Sequence, residues 1–224
     1  MTTSAVIAVD GTAASGKGTL AKRLARHFGF AHLDSGSLYR LVALGVIRAS
    51  GDPKNEADAI AAANRIDPAQ SDSPDIRQAP IADAASIVAA FPAVRTRLLA
   101  FQRGFAANPP GGAKGAVIDG RDIGTIVCPA ATAKLYVDAR PEARAHRRWL
   151  ELTALGLAVD EAAVLADIRA RDTRDSQRTV APLRPADDAA LLDTTNLDID
   201  AAFAAALALV KPKVEEALKA RPRG

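Results

Sequence analysis

Residues 5–19 read AVIAVDGTAASGKGT and carry the strongest fold signal in the chain. Its first five residues are apolar and rich in β-branched side chains, which predicts a strand buried on both faces. GTAASGKGT then matches the phosphate-loop pattern G-x-x-x-x-G-K-[ST], except that Gly18 stands at the hydroxyl position and Thr19 follows it. A helical pattern begins at Leu20. This order of strand, loop and helix predicts a phosphate-binding site made of backbone amides at a helix N-terminus. The alternative is an ordinary glycine-bearing turn with an incidental lysine.

The alternation of strand and helix continues along the chain. Further buried strands are predicted at 31–33, 115–118, 133–137 and 190–192, and each of them meets an aspartate at its end. Helices are predicted at 35–50, 56–63, 81–90, 93–107, 141–155, 161–171 and 199–220. This order requires parallel crossovers, so we expect an α/β protein, a three-layer α/β/α fold with a five-stranded parallel sheet. Ligands of such folds bind beyond the carboxyl ends of the strands, where these aspartates lie.

Two polar stretches do not fit this core. DPAQSDSPDIRQAP at 67–80 predicts a loop beside a small helical insert, and RARDTRDSQRTVAPLRP at 169–185 predicts a mobile covering segment. We expect one domain with a core at about 1–54, 91–165 and 188–224. An insert at about 55–90 and a lid segment at about 166–187 complete it.

The composition of the 224 residues excludes several classes of protein. Lys and Arg exceed Asp and Glu by 29 − 26 = 3, which is too weak a charge for a binder of polymeric nucleic acid. One cysteine, Cys128, excludes an intrachain disulfide framework and fits a reducing compartment. No leader-like or membrane-spanning run occurs, so a soluble cytoplasmic protein without a membrane partner is expected. The histidines His27, His32 and His146 lack metal-ligand spacing, and we assign them no role.

Two further motifs follow predicted strands. DSGSLYR at 34–40 places Arg40 near a helix start, where a guanidinium can bind a phosphate; a helix cap with a solvated arginine is the alternative. DGRDIGT at 119–125 places two carboxylates beside Arg121, which suits a substrate and metal site better than a surface turn.

Six motifs in order resemble the bacterial cytidylate kinase family of P-loop nucleoside monophosphate kinases. They are GTAASGKGT (11–19), LDSGSLYR (33–40), AASIVAAFPAVR (84–95), DGRDIGT (119–125), EARAHRR (142–148) and RDTRDSQRTVAPL (171–183). The resemblance implies a monomeric transferase that moves the γ-phosphoryl group of ATP to CMP or dCMP, with Mg²⁺ as cofactor, in pyrimidine metabolism.

The resemblance also implies roles for individual residues. The ATP-binding residues are Gly11, Thr12, Ala13, Ala14, Ser15, Gly16, Lys17, Gly18 and Thr19. The CMP-binding residues are Ser35, Arg40, Ser86, Arg95, Arg121, Asp122, Asp175 and Arg178, and Arg77 is a less certain match. The catalytic residues are Lys17, Arg121, Arg171 and Arg178. Thr19 is the candidate Mg²⁺ ligand, directly or through water. From the residues alone, the interpretation of Ser86 and Arg95 as plain helix-surface residues is favoured.

Two departures from the family pattern stand out. Ala13 and Ala14 replace the family's frequent Ser and Gly, which is tolerable if their backbone angles are ordinary. The insert also lacks the alternating pattern of the family's short antiparallel sheet. A kinase for UMP, AMP or dephospho-coenzyme A is the enzyme alternative. A P-loop regulator without turnover is the other, but Lys17 and the lid arginines argue against it. The sequence argues against a GTPase, because Asn196-Leu-Asp198 lacks the base-reading lysine.

Overall fold

The computed structural model describes residues 4–220. Five strands form one parallel sheet: β1 (Ala5–Gly11), β2 (Ala31–Asp34), β3 (Gly115–Gly120), β4 (Ala133–Asp138) and β5 (Ala190–Asp193). Their order is β2-β3-β1-β4-β5. The predicted fold class and all five predicted strands are confirmed, and each strand extends through its aspartate. Strands β1 and β3 are buried at every position, so both of their faces are covered, as the apolar runs predicted.

Eight α-helices occur in the described part of the chain. They are α1 (Lys17–Phe28), α2 (Ser35–Arg48), α3 (Glu56–Ala63), α4 (Ala79–Val88), α5 (Pro92–Ala107), α6 (Pro141–Ala154), α7 (Glu161–Ser176) and α8 (Ile199–Lys219). The chain divides into two compact units, Leu33–Phe105 and the remainder. We call the remainder, Met1–His32 with Ala106–Gly224, the sheet unit and Leu33–Phe105 the helical unit.

The core of the sheet unit lies between β1 and two helices. Apolar residues of α1, such as Leu24, and of α8, such as Val210 and Val214, pack in one buried cluster with Ile7 and Leu135 of the sheet. The alanine-rich composition serves this packing, because Ala202 and Ala206 let α8 approach the strands closely.

The helical unit has its own core. Residues of α2, α4 and α5, including Leu38, Val42, Val88 and Val94, form its buried cluster. Residues 67–80, predicted as loop, contain two short 3-10 turns, Pro68–Asp72 and Pro74–Arg77. Within the described residues 55–90 there is no strand, so the insert consists of helices and turns.

The charged segment at 169–185 is more regular than predicted. Helix α7 continues to Ser176, five residues beyond its predicted end, and the segment after it is irregular. The physical reason is charge pairing along the helix, since Arg171 and Asp175 stand four residues apart and interact. Ala145 on α6 and Val164 and Ile168 on α7 form a small apolar cluster of their own.

No single helix among residues 4–220 is long and apolar enough to cross a membrane. One consecutive pair, Pro80–Val88 with Pro92–Gly112, reaches that length and apolarity together, but it bends by 98° at its break.

Gly115 tests the pairing of β1 with β3. A Cβ at this position would lie 2.5 Å from the Ala5 carbonyl oxygen and 2.6 Å from the Phe30 ring. We therefore expect Gly115→Ala to lower the free energy of unfolding by about 1–3 kcal/mol in urea titrations, because the backbone must shift.

The control is Gly104→Ala, on helix α5, where a Cβ meets no described atom within 4 Å. This change should raise stability by up to about 1 kcal/mol, because alanine favours helix over glycine. A Gly115→Ala protein as stable as the wild type would contradict the observed pairing.

Candidate active site

The phosphate loop has the predicted strand–loop–helix geometry. Gly11 ends β1 with φ 150°, and a Cβ there would lie 2.0 Å from the Val137 carbonyl oxygen. Gly16 precedes α1 in the left-handed region at φ 85°, and as a glycine it has no side chain that could cap the first turn. The Ser15 hydroxyl donates to the Thr12 carbonyl at 3.0 Å and stabilises the turn. The amides at the start of α1 therefore form a binding site suited to an anion.

The expectation for the two alanines of this loop was wrong at one position. Ala14 adopts φ 58°, in the left-handed region, so its backbone angles are not ordinary. This conformation costs a residue with a Cβ about 1–2 kcal/mol of conformational free energy, and glycine would avoid that cost. Ala14 packs against the apolar cluster of α6 and α7, so the surrounding structure holds the strained conformation.

Lys17 lies at the first position of α1, and its ammonium group faces a buried carboxylate. Its Nζ lies 4.0 Å from Asp119 Oδ2, at the end of β3. The other oxygen, Asp119 Oδ1, lies 2.9 Å from His32 Nε2. Asp119 is only 2% exposed, so this carboxylate is held from two sides beside the phosphate loop.

The surroundings of Asp119 fit a phosphate-bound magnesium ion. A Cβ on Gly18 would lie 3.6 Å from Asp119 Oδ2, so the carboxylate lies beside the position where other phosphate loops carry a hydroxyl. Thr19, the predicted ligand, is exposed on the first turn of α1. Among residues 4–220 no three His, Cys, Asp or Glu side chains converge on a metal position. A magnesium ion here would take most ligands from phosphate and water, as this ion commonly does.

Asp10 holds the loop that carries Arg121. Its carboxylate accepts hydrogen bonds from the backbone amides of Ile123 at 2.8 Å and Gly124 at 2.7 Å. These amides lie in a π-helical turn, Ile123–Val127, an uncommon element that often marks functional sites. Burial raises the pKa of Asp10 to about 7; the two amides and Arg121 oppose the shift, and the nearby charge of Asp122 adds to it.

The predicted arginines of the sheet unit converge on Asp175. Arg121 Nε lies 2.9 Å from Asp175 Oδ2, and Arg171 Nε lies 4.0 Å from the same oxygen. Arg178 donates to Asp175 Oδ1. Burial opposes ionisation of Asp175, but the guanidinium groups of Arg121, Arg178 and Arg171 outweigh it and hold its pKa below the usual range. Four predicted site residues therefore form one cluster that concentrates positive charge.

Ser86 and Arg95 lie buried in the helical unit. Ser86 is on α4, and its Oγ has no hydrogen-bond partner among residues 4–220. Arg95 on α5 donates to the Ala89 carbonyl oxygen at 3.1 Å and lies over the Tyr39 ring, 5.6 Å from its centroid. The helix-surface alternative was therefore wrong for both residues, because each is at most 9% exposed.

Ser35 and Arg40 lie on α2, also in the helical unit. Ser35 is buried at the first position of the helix. Arg40 Nη1 lies 3.5 Å from Asp34 Oδ2, and both side chains keep partial exposure. The pair leaves the guanidinium accessible at the start of the helix, where an anion is favoured.

Comparison with known proteins gives the family. The model of the cytidylate kinase family matches residues 7–212. The chain is 56% identical over 206 residues to a cytidylate kinase of Nitrobacter winogradskyi, covering 92% of this chain and 95% of that protein. It is 55% identical over 210 residues to one of Paramagnetospirillum magneticum, covering 94% and 99%.

The chain belongs to the cytidylate kinase family. The predicted family is thereby confirmed, and with it the class of enzyme, an ATP-dependent phosphotransferase that binds nucleotides. The crystal structure of an uncharacterized protein from Eubacterium ventriosum aligns with a TM-score of 0.51 at 15% identity, covering 92% of this chain and 98% of that one. That likeness concerns the fold alone.

Three residues near the phosphate loop of this cytidylate kinase were given no role from the sequence. Asp10 follows the first predicted strand within the run 5–19 but has no role assigned there, and His32 has none because it lacks metal-ligand spacing. Arg144 stood in a quoted motif without a function, although it is 2% exposed and donates to the Ala13 carbonyl oxygen at 3.2 Å. The available signal for Asp10 was its position at the end of a predicted strand. His32 and Arg144 carried no such signal, because their partners Asp119 and Ala13 lie far away in sequence.

The buried Asp10 predicts a specific pH dependence of stability. Its folded pKa of about 7 lies above the ordinary aspartate pKa of 3.8, so the folded protein keeps a proton that the unfolded chain loses between these values. Wild-type stability should therefore fall relative to Asp10→Asn as pH rises from about 4 to about 7. The slope should be at most about 1.4 kcal/mol per pH unit, with a constant difference above pH 7.

Urea unfolding of both proteins across this pH range measures the difference. Comparing the two at each pH cancels the titration of most other groups. A difference that does not change with pH would show that Asp10 titrates normally.

Proposed function

We propose that this cytidylate kinase transfers the γ-phosphoryl group of ATP to CMP or dCMP, giving CDP or dCDP and ADP. The acceptor atom is an oxygen of the monophosphate, and the reaction belongs to pyrimidine nucleotide metabolism. A chain with a single cysteine fits the reducing cytoplasm, and we expect it to act as a monomer without polymeric nucleic acid or membrane partners.

The phosphate loop, residues 11–19, binds the phosphates of ATP in this proposal. Supporting it are the helix N-terminus that follows Gly16 and the position of Lys17 at the first helical residue. Lys17 would neutralise charge on the β- and γ-phosphates. Thr19 and Asp119, together with water molecules, would hold the Mg²⁺ ion that accompanies ATP. This ion would neutralise charge on the phosphates.

The acceptor phosphate is assigned to Ser35, Arg40 and Arg121. Arg40 and Arg121 are guanidinium groups, whose planar forks match phosphate oxygens. Asp175 and Asp122 complete the CMP-binding set with Arg178. The attacking phosphate oxygen is already ionised, so the reaction needs no protein base.

The buried Ser86 hydroxyl is the observation that carries the assignment of cytosine. A buried hydroxyl without a protein partner costs free energy unless a ligand pairs with it. Cytosine offers an amino donor at N4 and an acceptor at N3, and uracil reverses both. A site that pairs with cytosine would leave polar groups unpaired with uracil, so it would discriminate against UMP.

Arg121, Arg171 and Arg178 would stabilise the charge that spreads over the transferred phosphoryl group. Their shared contact with Asp175 supports this role, because it holds three guanidinium groups together before any phosphate arrives. We assign the lid function to residues 166–187, which would exclude water and limit hydrolysis of ATP.

A panel of acceptors tests the function. ADP release from ATP, measured with CMP, dCMP, UMP and AMP, should be fastest for a cytosine nucleotide. Equal rates with all four would refute cytosine selectivity, and preference for AMP or UMP would identify a different monophosphate kinase.

Lys17→Ala should abolish most turnover in the same assay, because the charge on the transferred group loses its first cation. Its matched control is Lys22→Ala, an exposed lysine farther along the same helix, which should turn over like the wild type. Near-normal turnover of Lys17→Ala would contradict the assignment of residues 11–19 to the phosphates of ATP.

Ser86→Ala tests the base-binding role without disturbing the fold. The kcat/KM for CMP should fall about 2- to 12-fold, the value of one hydrogen bond, and the KM for ATP should not change. Thermal stability should also remain, because the hydroxyl makes no bond within residues 4–220.

Ser37→Ala provides the contrast. This buried serine of the same unit donates to the Asp34 carbonyl oxygen at 2.6 Å, so its loss should lower stability by about 1 kcal/mol. Unchanged CMP kinetics in Ser86→Ala would remove that residue from the binding site.

A further inference from the structure

Arg144 joins three parts of the sheet unit that are distant in sequence. It lies on α6, and its guanidinium donates from Nε to the Ala139 carbonyl oxygen at 2.7 Å, beyond the end of β4. Nη1 donates to the Ala13 carbonyl oxygen in the phosphate loop at 3.2 Å. The same fork binds Asp172 on α7 through both oxygens, at 3.0 and 2.5 Å. The Arg144 side chain is buried, and hydrogen bonds to the protein replace those that water would make. A buried guanidinium needs such partners, so these bonds are a specific structural contact.

The contact with Ala13 acts on the strained position of the phosphate loop. The Ala13 carbonyl belongs to the peptide that joins Ala13 to Ala14, whose φ is 58°. Holding this oxygen fixes the orientation of that peptide, and therefore the direction of the amides that follow it. Arg144 thus opposes relaxation of Ala14 toward an ordinary backbone conformation.

The contact with Asp172 acts on the helix that carries the lid arginines. Asp172 follows Arg171 directly and precedes Asp175 by three residues, so one face of α7 holds both carboxylates. One buried guanidinium therefore links the phosphate loop to the helix that carries Asp175 and Arg171. A lysine could not reproduce these bonds, because it lacks the planar fork.

We propose that Arg144 is a positioning residue that holds the phosphate loop in its ATP-binding conformation and ties it to the lid helix α7. The inference rests on the proposed function, since it concerns how the same site is prepared for ATP. The proposal gives a role to the motif EARAHRR, residues 142–148. None of its residues is assigned to binding ATP or CMP.

Arg144→Lys tests the proposal through ATP affinity. Calorimetric titration of the full chain with ATP, without CMP, should show a Kd raised about 10-fold, because the loop loses the bond that opposes its relaxation. The KM for CMP should change much less. The matched control is Glu142→Gln, which breaks an exposed ion pair with Arg169 between the same two helices. That variant should bind ATP like the wild type.

A second substitution separates positioning from general packing. Glycine adopts a positive φ without strain, so Ala14→Gly should restore the ATP affinity of Arg144→Lys to within about 2-fold of Ala14→Gly alone. A merely structural loss at Arg144 would not be rescued by a change in the loop. Failure of this rescue, or ATP affinity in Arg144→Lys equal to that of the control, would overturn the proposal.

Asp172→Asn keeps the Ala13 contact but weakens the tie to α7. It should lower kcat several-fold with little change in ATP affinity, and an unchanged kcat would overturn the proposed tie. If Arg144→Lys does not fold, two other proteins test the proposal. The double variant Arg144→Lys with Ala14→Gly is compared with Ala14→Gly for ATP affinity, and Asp172→Asn is compared with the wild type for kcat. ATP binding without CMP is independent of the acceptor, so absence of transfer to CMP would defeat the proposed function and leave this inference standing.

Discussion

Parallel pairing of β1 with β3 on one side and β4 on the other is the constraint on which the phosphate site depends. The register aligns Asp10 with Gly120 and Gly11 with Val137, so three loops leave the sheet at one edge. Asp10 then binds the loop after β3, and the Thr12 hydroxyl donates to Asp138 at the end of β4 at 2.7 Å. The phosphate loop is braced on both sides because its strand is central.

This arrangement holds destabilised groups in and beside the phosphate loop. Ala14 is held at a positive φ, and burial raises the pKa of Asp10 toward neutrality. The surrounding packing and hydrogen bonds hold both in place. Groups held in this way lower the stability of the folded protein, but preorganised groups in general need little reorganisation when charge develops. Asp175 is likewise buried, and its carboxylate keeps the like charges of the surrounding arginines together.

Arg95 and Ser86, two buried polar residues of the helical unit, differ in their hydrogen bonds to the rest of the protein. Arg95 already donates to the Ala89 carbonyl and contacts Tyr39, so it supports local structure. Ser86 makes no such bond among residues 4–220. A hydroxyl that the fold does not use is the clearer indication of a ligand, because burial without a partner is unfavourable.

The sequence by itself determined the strands, the helices, the phosphate loop and the family. These depend on local patterns: apolar runs of strand length, glycines at fixed spacing and motifs in order. It also placed Arg121, Arg171, Asp175 and Arg178 in one site through the resemblance. It did not predict that α7 extends to Ser176, because pairing along the helix competes with a composition typical of loops. Only the tertiary structure decided the strain at Ala14, the raised pKa of Asp10 and the bonds of Arg144. These follow from burial and from partners more than a hundred residues away, which no local pattern encodes.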